Sequence, residues 1–192
     1  MTDFEPDLLN ACAIILDYPD FKTVEAEISA INEQYKGENN SVNGFLDYLK
    51  GKDIIDLQSE YVDTFDLSST PLFLTAWEFG DSRNRGPELM KLKKMIESNG
   101  FRIRKGQIPD YIPLLLSFVS AMGPENIPDD FESRLHRYFE TLSTKLHNTI
   151  YGSIFLMLSD IFQKRMPLPE IKPEKADSGE MPFPLRYNGE EY

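Results

Sequence analysis

Apolar side chains recur every three or four positions along most of the chain, the spacing that stacks them on one face of a helix. Leu8, Leu9, Cys12, Ala13 and Leu16 form a first stripe. It closes at Tyr18-Pro19, because proline disfavours helix at the residue before it. Phe21, Val24, Ile28, Ile31 and Tyr35 form a second stripe, ended by Gly37. After the polar loop Glu38-Asn39-Asn40-Ser41, a short helix carries Phe45, Leu46 and Leu49, and a fourth carries Ile54, Leu57, Tyr61, Val62 and Phe65. The pattern then stops between Asp66 and Pro87. Ser68-Ser69-Thr70-Pro71 is turn chemistry, and Gly80-Asp81-Ser82-Arg83-Asn84-Arg85-Gly86-Pro87 reads as a charged loop bounded by glycines.

Pro87 suits the first position of a helix, where its missing N–H costs nothing. That helix shows Leu89, Leu92, Met95 and Ile96 and stops near Gly100. Asp110 is placed to cap a buried helix running to Met122. Phe131, Leu135, Tyr138, Phe139, Leu142 and Leu146 predict a long amphipathic helix, and Ile150, Ile154, Phe155, Leu158, Ile161 and Phe162 predict the last. No strand-like alternation longer than a few residues and no fixed repeat interrupts this reading. The expected fold is all-α: a single-domain compact bundle of about seven to nine helices over residues 1–165. From 166 to 192 the chain is proline-rich and acidic with no periodicity, which predicts a flexible tail. Its Phe183, Leu185, Tyr187 and Tyr192 leave open a docking of that tail on the body.

Charge and cysteine content narrow the function classes. With 20 basic and 32 acidic residues the net charge is −12, so the surface repels phosphates and nucleic acid is not expected as a partner. A basic segment would be attracted instead. Cys12 stands alone, which favours a reducing compartment, and its expected role is a small buried apolar residue on the first helix. The acidic N-terminus is unlike a secretory signal. No apolar run approaches the ~20 residues of a membrane span, so the chain is expected in the cytoplasm.

Several chemistries are excluded by spacing. Gly80 to Gly86 is one residue too long for a phosphate-cradling loop, and no Lys-Ser/Thr follows. There is no strained nucleophile elbow. His136 and His147 are eleven residues apart with a single cysteine far away, so no metal, cofactor or catalytic residue is expected. Both histidines read as surface or capping residues. What stands out is the block from Tyr61 to Phe118, where aromatics, paired arginines and prolines concentrate. An apolar groove between helices, rimmed by polar groups, is how a protein without catalysis recognises an amphipathic helix.

At these residues the sequence resembles the nitrate reductase delta-type assembly chaperones (the NarJ type), within the wider family serving complex molybdenum enzymes. The matching segments are Tyr61-Val62-Asp63-Thr64-Phe65-Asp66, Leu72-Phe73-Leu74-Thr75, Gly80-Asp81-Ser82-Arg83-Asn84-Arg85-Gly86 and Ile108-Pro109-Asp110-Tyr111-Ile112-Pro113-Leu114. The resemblance implies a chaperone that binds the N-terminal segment of an apo catalytic subunit, of nitrate reductase or nitrite oxidoreductase type, until its molybdenum cofactor is inserted. It would act as a monomer, or a dimer. The candidate peptide-binding set is Tyr61, Phe65, Leu72, Asp81, Arg83, Arg85, Asp110, Tyr111 and Leu115. Tyr111 and Leu115 are placed as groove floor and Phe65 and Leu72 as walls, with plain core the alternative for each. Asp81 is expected to pair with Arg83 or Arg85, shaping a loop at the groove or merely capping two helices. Two other functions stay open: a nucleotide-binding regulator, and a permanent structural subunit of an oxidoreductase complex.

Overall fold

The computed structural model describes residues 6–123 and 126–163. Among them lie nine α-helices: α1 Pro6–Ile15, α2 Val24–Gln34, α3 Asn40–Leu49, α4 Ile54–Tyr61, α5 Leu74–Phe79, α6 Arg85–Ser98, α7 Ile112–Met122, α8 Asp129–Lys145 and α9 Gly152–Ile161. A π-helical turn, Val62–Asp66, extends α4. The helical bundle agrees with the periodicity. The proline-rich tail from 166 to 192, and with it the domain boundary at 165 and any docking of the tail, lies outside the described residues.

Side chains cap the starts of several helices. Thr23 accepts from the Ala26 amide at 3.2 Å, Asn39 from the Ser41 amide at 2.9 Å and Asp53 from the Ile55 amide at 2.8 Å. Each satisfies an amide that the helix itself leaves without a partner. Asp110 does not cap α7. The residue before that helix is Tyr111, which makes no side-chain cap, and the Asp110 carboxylate turns inward to other partners. The stretch from Asp66 to Pro87 is also less irregular than its sequence reads. It holds α5, whose six residues are too few to display a period.

Helix α7 is the centre of the bundle. Ile112, Pro113, Leu115, Leu116, Phe118, Val119 and Ser120 are all buried, while Ser117 faces the surface. Against it α1 runs antiparallel: Ser120 donates to the Pro6 carbonyl at 2.8 Å at one end, and Tyr111 donates to Asp17 at 2.7 Å at the other. Helices α8 and α9 form the opposite wall. Phe139 of α8 and Phe155 of α9 pack with centroids 6.2 Å apart, and rings of the π-turn and α3 meet them: Phe65 lies 6.3 Å from Phe155 and 4.8 Å from Tyr151, the residue before α9, and Phe45 lies 5.7 Å from Tyr151. His136 ties the pair, its Nδ1 lying 3.0 Å from the Ser159 carbonyl. Cys12 is fully buried on α1, where burial pushes its thiol far up. Among the described residues, no helix is long and apolar enough to cross a membrane.

Two local features give stability tests. Gly152 opens α9 against the end of α8: a Cβ there would collide with the Leu146 carbonyl oxygen and sit 2.9 Å from the His147 Cα. Both obstacles are backbone, so Gly152→Ala should lower the unfolding free energy by about 2 kcal/mol, read as a lower denaturant midpoint with unchanged slope.

The second is Glu27 on α2, only 1% exposed, with Oε2 lacking a hydrogen-bond partner. Burial, aided by the carboxylates of Asp20 and Asp17, raises its pKa from 4.5 to about 7. Between those values the folded chain holds a proton that the unfolded chain has released. This group's contribution is therefore full below pH 4.5 and is lost as pH rises to about 7, by on the order of 3 kcal/mol. Glu27→Gln should flatten that slope. The measurement is the melting temperature of both proteins at pH 5 and 8, with the larger fall expected in the wild type.

Candidate functional site

The segment Leu72-Phe73-Leu74 meets Asp110-Tyr111-Ile112 as a single antiparallel bridge. The Leu74 amide donates to the Asp110 carbonyl and the Ile112 amide to that of Leu72, each at 2.9 Å. Below the bridge the Asp110 side chain is fully buried. Its Oδ2 accepts from the Thr75 amide at 3.2 Å and from the Thr75 hydroxyl at 2.5 Å, and lies 3.7 Å from the Arg85 guanidinium. Arg85 also donates from Nε to the Thr75 hydroxyl at 3.3 Å. One carboxylate thus joins the starts of α5, α6 and α7. Arg85 spends its charge on Asp110, not on Asp81. Among the described residues Asp81 has no ion pair, and Asp81 and Arg83 are exposed.

A second clamp binds the same region to α8. Arg134 donates from Nε and Nη2 to both carboxylate oxygens of Glu78, at 2.7 and 2.6 Å, and lies 3.4 Å from Glu88. Tyr138, also from α8, donates to the Pro71 carbonyl at 2.9 Å. The loop between the π-turn and α5 is therefore held from both sides.

Above these clamps lie two concavities that share Tyr111. The first, about 460 Å³, is lined by Tyr18, Tyr61, Phe65, Asp66, Pro71, Leu72, Phe73 and Tyr111. Four residues of the sequence-derived set, Tyr61, Phe65, Leu72 and Tyr111, come together in it, of which Tyr61, Phe65 and Leu72 are buried core residues and Tyr111 is half-buried. The second, about 570 Å³, follows the seam between α1 and α7. Its walls are Ala13, Ile14 and Asp17 on one side and Tyr111, Leu114 and Phe118 on the other, with Arg102 and Arg104 from the link before α7. Leu115 lines neither: it is wholly buried in the core. Asp110 supports Tyr111 from beneath, while Asp81 and Arg83 lie outside both linings.

The partition between the concavities is a hydrogen-bonded pair of phenols. Tyr111 donates to Asp17 at 2.7 Å, and its oxygen lies 3.2 Å from that of Tyr61, which also bonds the Leu16 carbonyl at 3.2 Å. Burial pushes the Tyr61 phenol up to about 12, the neighbouring Tyr111 hydroxyl opposing and the carboxylates of Asp17 and Asp66 adding. Tyr111 is driven higher still, again mainly by burial. Both phenols stay neutral across physiological pH. The two concavities therefore offer apolar walls, two phenols, the carboxylates of Asp17 and Asp66 and, in the seam, Arg102 and Arg104.

The seam concavity was not foreseen from the sequence. Its signals were present: Asp17 directly after the first apolar stripe, and Arg102, Arg104 and Lys105 clustered in an otherwise acidic chain.

Comparison with known proteins places this geometry in a lineage of helical proteins. A model of the nitrate reductase delta subunit family matches residues 32–151, and the chain belongs to that family. It is 35% identical over 104 residues to NarJ of Bacillus subtilis, named for nitrate reductase molybdenum cofactor assembly, covering 53% of this chain and 56% of that protein. To the corresponding NarJ of Escherichia coli K12 it is 28% identical over 115 residues, covering 56% of this chain and 49% of the relative. A 78-residue match at 37% to the nitrate reductase-like protein NarX of Mycobacterium tuberculosis covers 40% of this chain and 12% of NarX. The chain thus spans about half of the NarJ relatives and a small part of NarX. The fold is shared with the crystal structure of a redox enzyme maturation protein of Archaeoglobus fulgidus: TM-score 0.63, 22% identity, 85% of this chain and 97% of that one.

The Asp110 clamp generates a test. Asp110→Ala leaves the Thr75 amide and the Arg85 charge without their partner and should cost about 3 kcal/mol of stability. Exposed Arg83→Ala should stay within ~0.5 kcal/mol. Chemical denaturation of both variants checks the contrast.

Proposed function

We propose that this protein is a dedicated assembly chaperone for a molybdenum oxidoreductase of the nitrate reductase type, nitrite oxidoreductase included. In this reading it binds the N-terminal segment of the apo catalytic subunit in the cytoplasm, holds it while the molybdenum cofactor is inserted, and then lets go. It does no chemistry of its own. The observation that carries the reading is the concavity formed by Tyr61, Phe65, Leu72 and Tyr111, with half-exposed Tyr18 at its edge. Tyr61, Phe65, Leu72 and Tyr111 lie in the segments through which the sequence resembles the NarJ type. Family membership supports the client class, since the relatives are named for cofactor assembly.

An amphipathic helix is the ligand such a surface takes. Apolar anchors every three or four residues enter the concavity, and cations meet the acidic rim. The clamps on Asp110 and Arg134 keep the walls in place before the ligand arrives, which reduces the ordering cost of binding. In this reading Asp110 and Arg85 act from below, by fixing Tyr111 and α5.

The test is titration calorimetry with a synthetic peptide from the N-terminus of the nitrate reductase catalytic subunit of the same organism. Binding should occur with no metal or nucleotide added. Tyr18→Ser alters an exposed wall residue and should weaken binding about tenfold, about 1.4 kcal/mol, with little change in melting temperature. Raising salt from about 0.05 to 0.5 M shortens the Debye length from roughly 14 to 4 Å, so association should slow several-fold while dissociation changes less. A wild type that ignores the peptide, or takes it only with a nucleotide, would overturn the reading.

A further inference from the structure

Charge changes sign along the two concavities: Asp66 lines the first and Asp17 the near end of the seam beside Tyr111, while Arg102 and Arg104 line the seam further on. Around the Tyr61–Tyr111 pair the charged groups are carboxylates: Asp66 lines the first concavity, Asp17 accepts from Tyr111, and both act on the Tyr61 phenol. No cation lines that end. The seam then follows α7 away from Tyr111. Seven residues on, a distance of about 10 Å along the axis, Phe118 stacks edge-on against Phe101 with ring centroids 5.3 Å apart. Arg102 follows Phe101 directly, and Arg104 lines the same concavity. Among the described residues neither arginine has an ion pair.

The basic end is notable in a chain of net charge −12. From Lys91 to Lys105 there are six cations, Lys91, Lys93, Lys94, Arg102, Arg104 and Lys105, against the single carboxylate Glu97. A groove meant only for a basic ligand gains nothing from two unpaired arginines in its wall. They favour an occupant whose charge changes sign along its length.

Building on the peptide-binding reading above, we propose that the two concavities form one polar-ended groove that fixes the direction of a bound helix. The N-terminal turn of the occupant, bearing Lys or Arg, lies over Tyr111 and Tyr61 beside Asp17 and Asp66. Its C-terminal turn, bearing Asp or Glu, lies over Phe101 and Phe118 beside Arg102 and Arg104. A helix carries partial positive charge at its N-terminus and partial negative charge at its C-terminus. Its backbone therefore matches the groove in this direction and opposes it in the other, and the arginines can donate to the last free carbonyls. The partner is thus a segment of about 10–12 residues, basic first and acidic last, with an apolar face between; as a helix it spans ~15–18 Å.

The experiment uses two designed, fluorescein-labelled peptides of identical composition. Each is an amphipathic helix of about 12 residues, the length that spans the groove. One carries paired lysines in its first turn and paired glutamates in its last; the other has the two pairs exchanged. Fluorescence anisotropy with the full chain should show the first binding at least tenfold more tightly. In the doubly substituted chain Arg102→Glu, Arg104→Glu, both exposed positions, that ratio should fall to about one, with an unchanged melting temperature. Equal binding of the two peptides to the wild type would overturn the polarity and leave the peptide-binding reading standing. A ratio that survives the double substitution would overturn the role of the arginines. Binding of neither peptide, where the catalytic-subunit peptide of the preceding section does bind, would overturn the polar-ended groove alone; failure of all three would overturn both readings.

Discussion

A single buried carboxylate holds the working face of this bundle together. Asp110 sits where α5, α6 and α7 begin, and its one engaged oxygen serves an amide, a hydroxyl and a guanidinium. Burying an ionised group is unfavourable unless hydrogen bonds and a counter-charge accompany it. Once they do, the arrangement is directional in a way that apolar packing is not. The bridge between Leu72-Phe73-Leu74 and Asp110-Tyr111-Ile112 sets the height of the loop, and Arg134 with Glu78 and Glu88 sets its distance from α8. Tyr111 is left standing between two concavities. Charged clamps under the floor keep the walls of the two concavities from collapsing into the empty space between them.

The fold was legible because helices announce themselves by period. The stripes of α1, α2, α8 and α9 repeat often enough to be read, and most of the apolar residues they select are buried, with the polar Glu27 of α2 buried beside them. α5 was not legible: six residues hold too little pattern, and its place is set by Asp110 thirty-five positions away. The same distance in sequence explains the Asp110 side chain. By local rules an aspartate ahead of a helix is a cap, yet Thr75 and Arg85 offer a better site that only tertiary structure brings near.

The candidate site divides in the same manner. Tyr61, Phe65, Leu72 and Tyr111 converge because each is a large apolar or phenolic side chain near the end of an element, where walls are made. Leu115 follows the period of α7 into the core. Asp81 and Arg83 attract notice as charges in a glycine-bounded loop, but a loop charge has no address until its neighbours are placed. The seam between α1 and α7 combines residues from positions 10 to 118, and no local pattern joins them.

The pairing of α1 with α7 has a consequence for how the chain is made. Asp17 bonds Tyr111 and Pro6 bonds Ser120, contacts separated by 94 and 114 residues. A ribosome adds about 5–20 residues per second, so α1 emerges roughly 5–20 s before the helix that covers it. Through that interval its apolar stripe has no native partner, and neither concavity exists. Until α7 arrives the nascent chain carries an uncovered apolar stripe, and a chain terminated before residue 111 lacks the tyrosine that both concavities share.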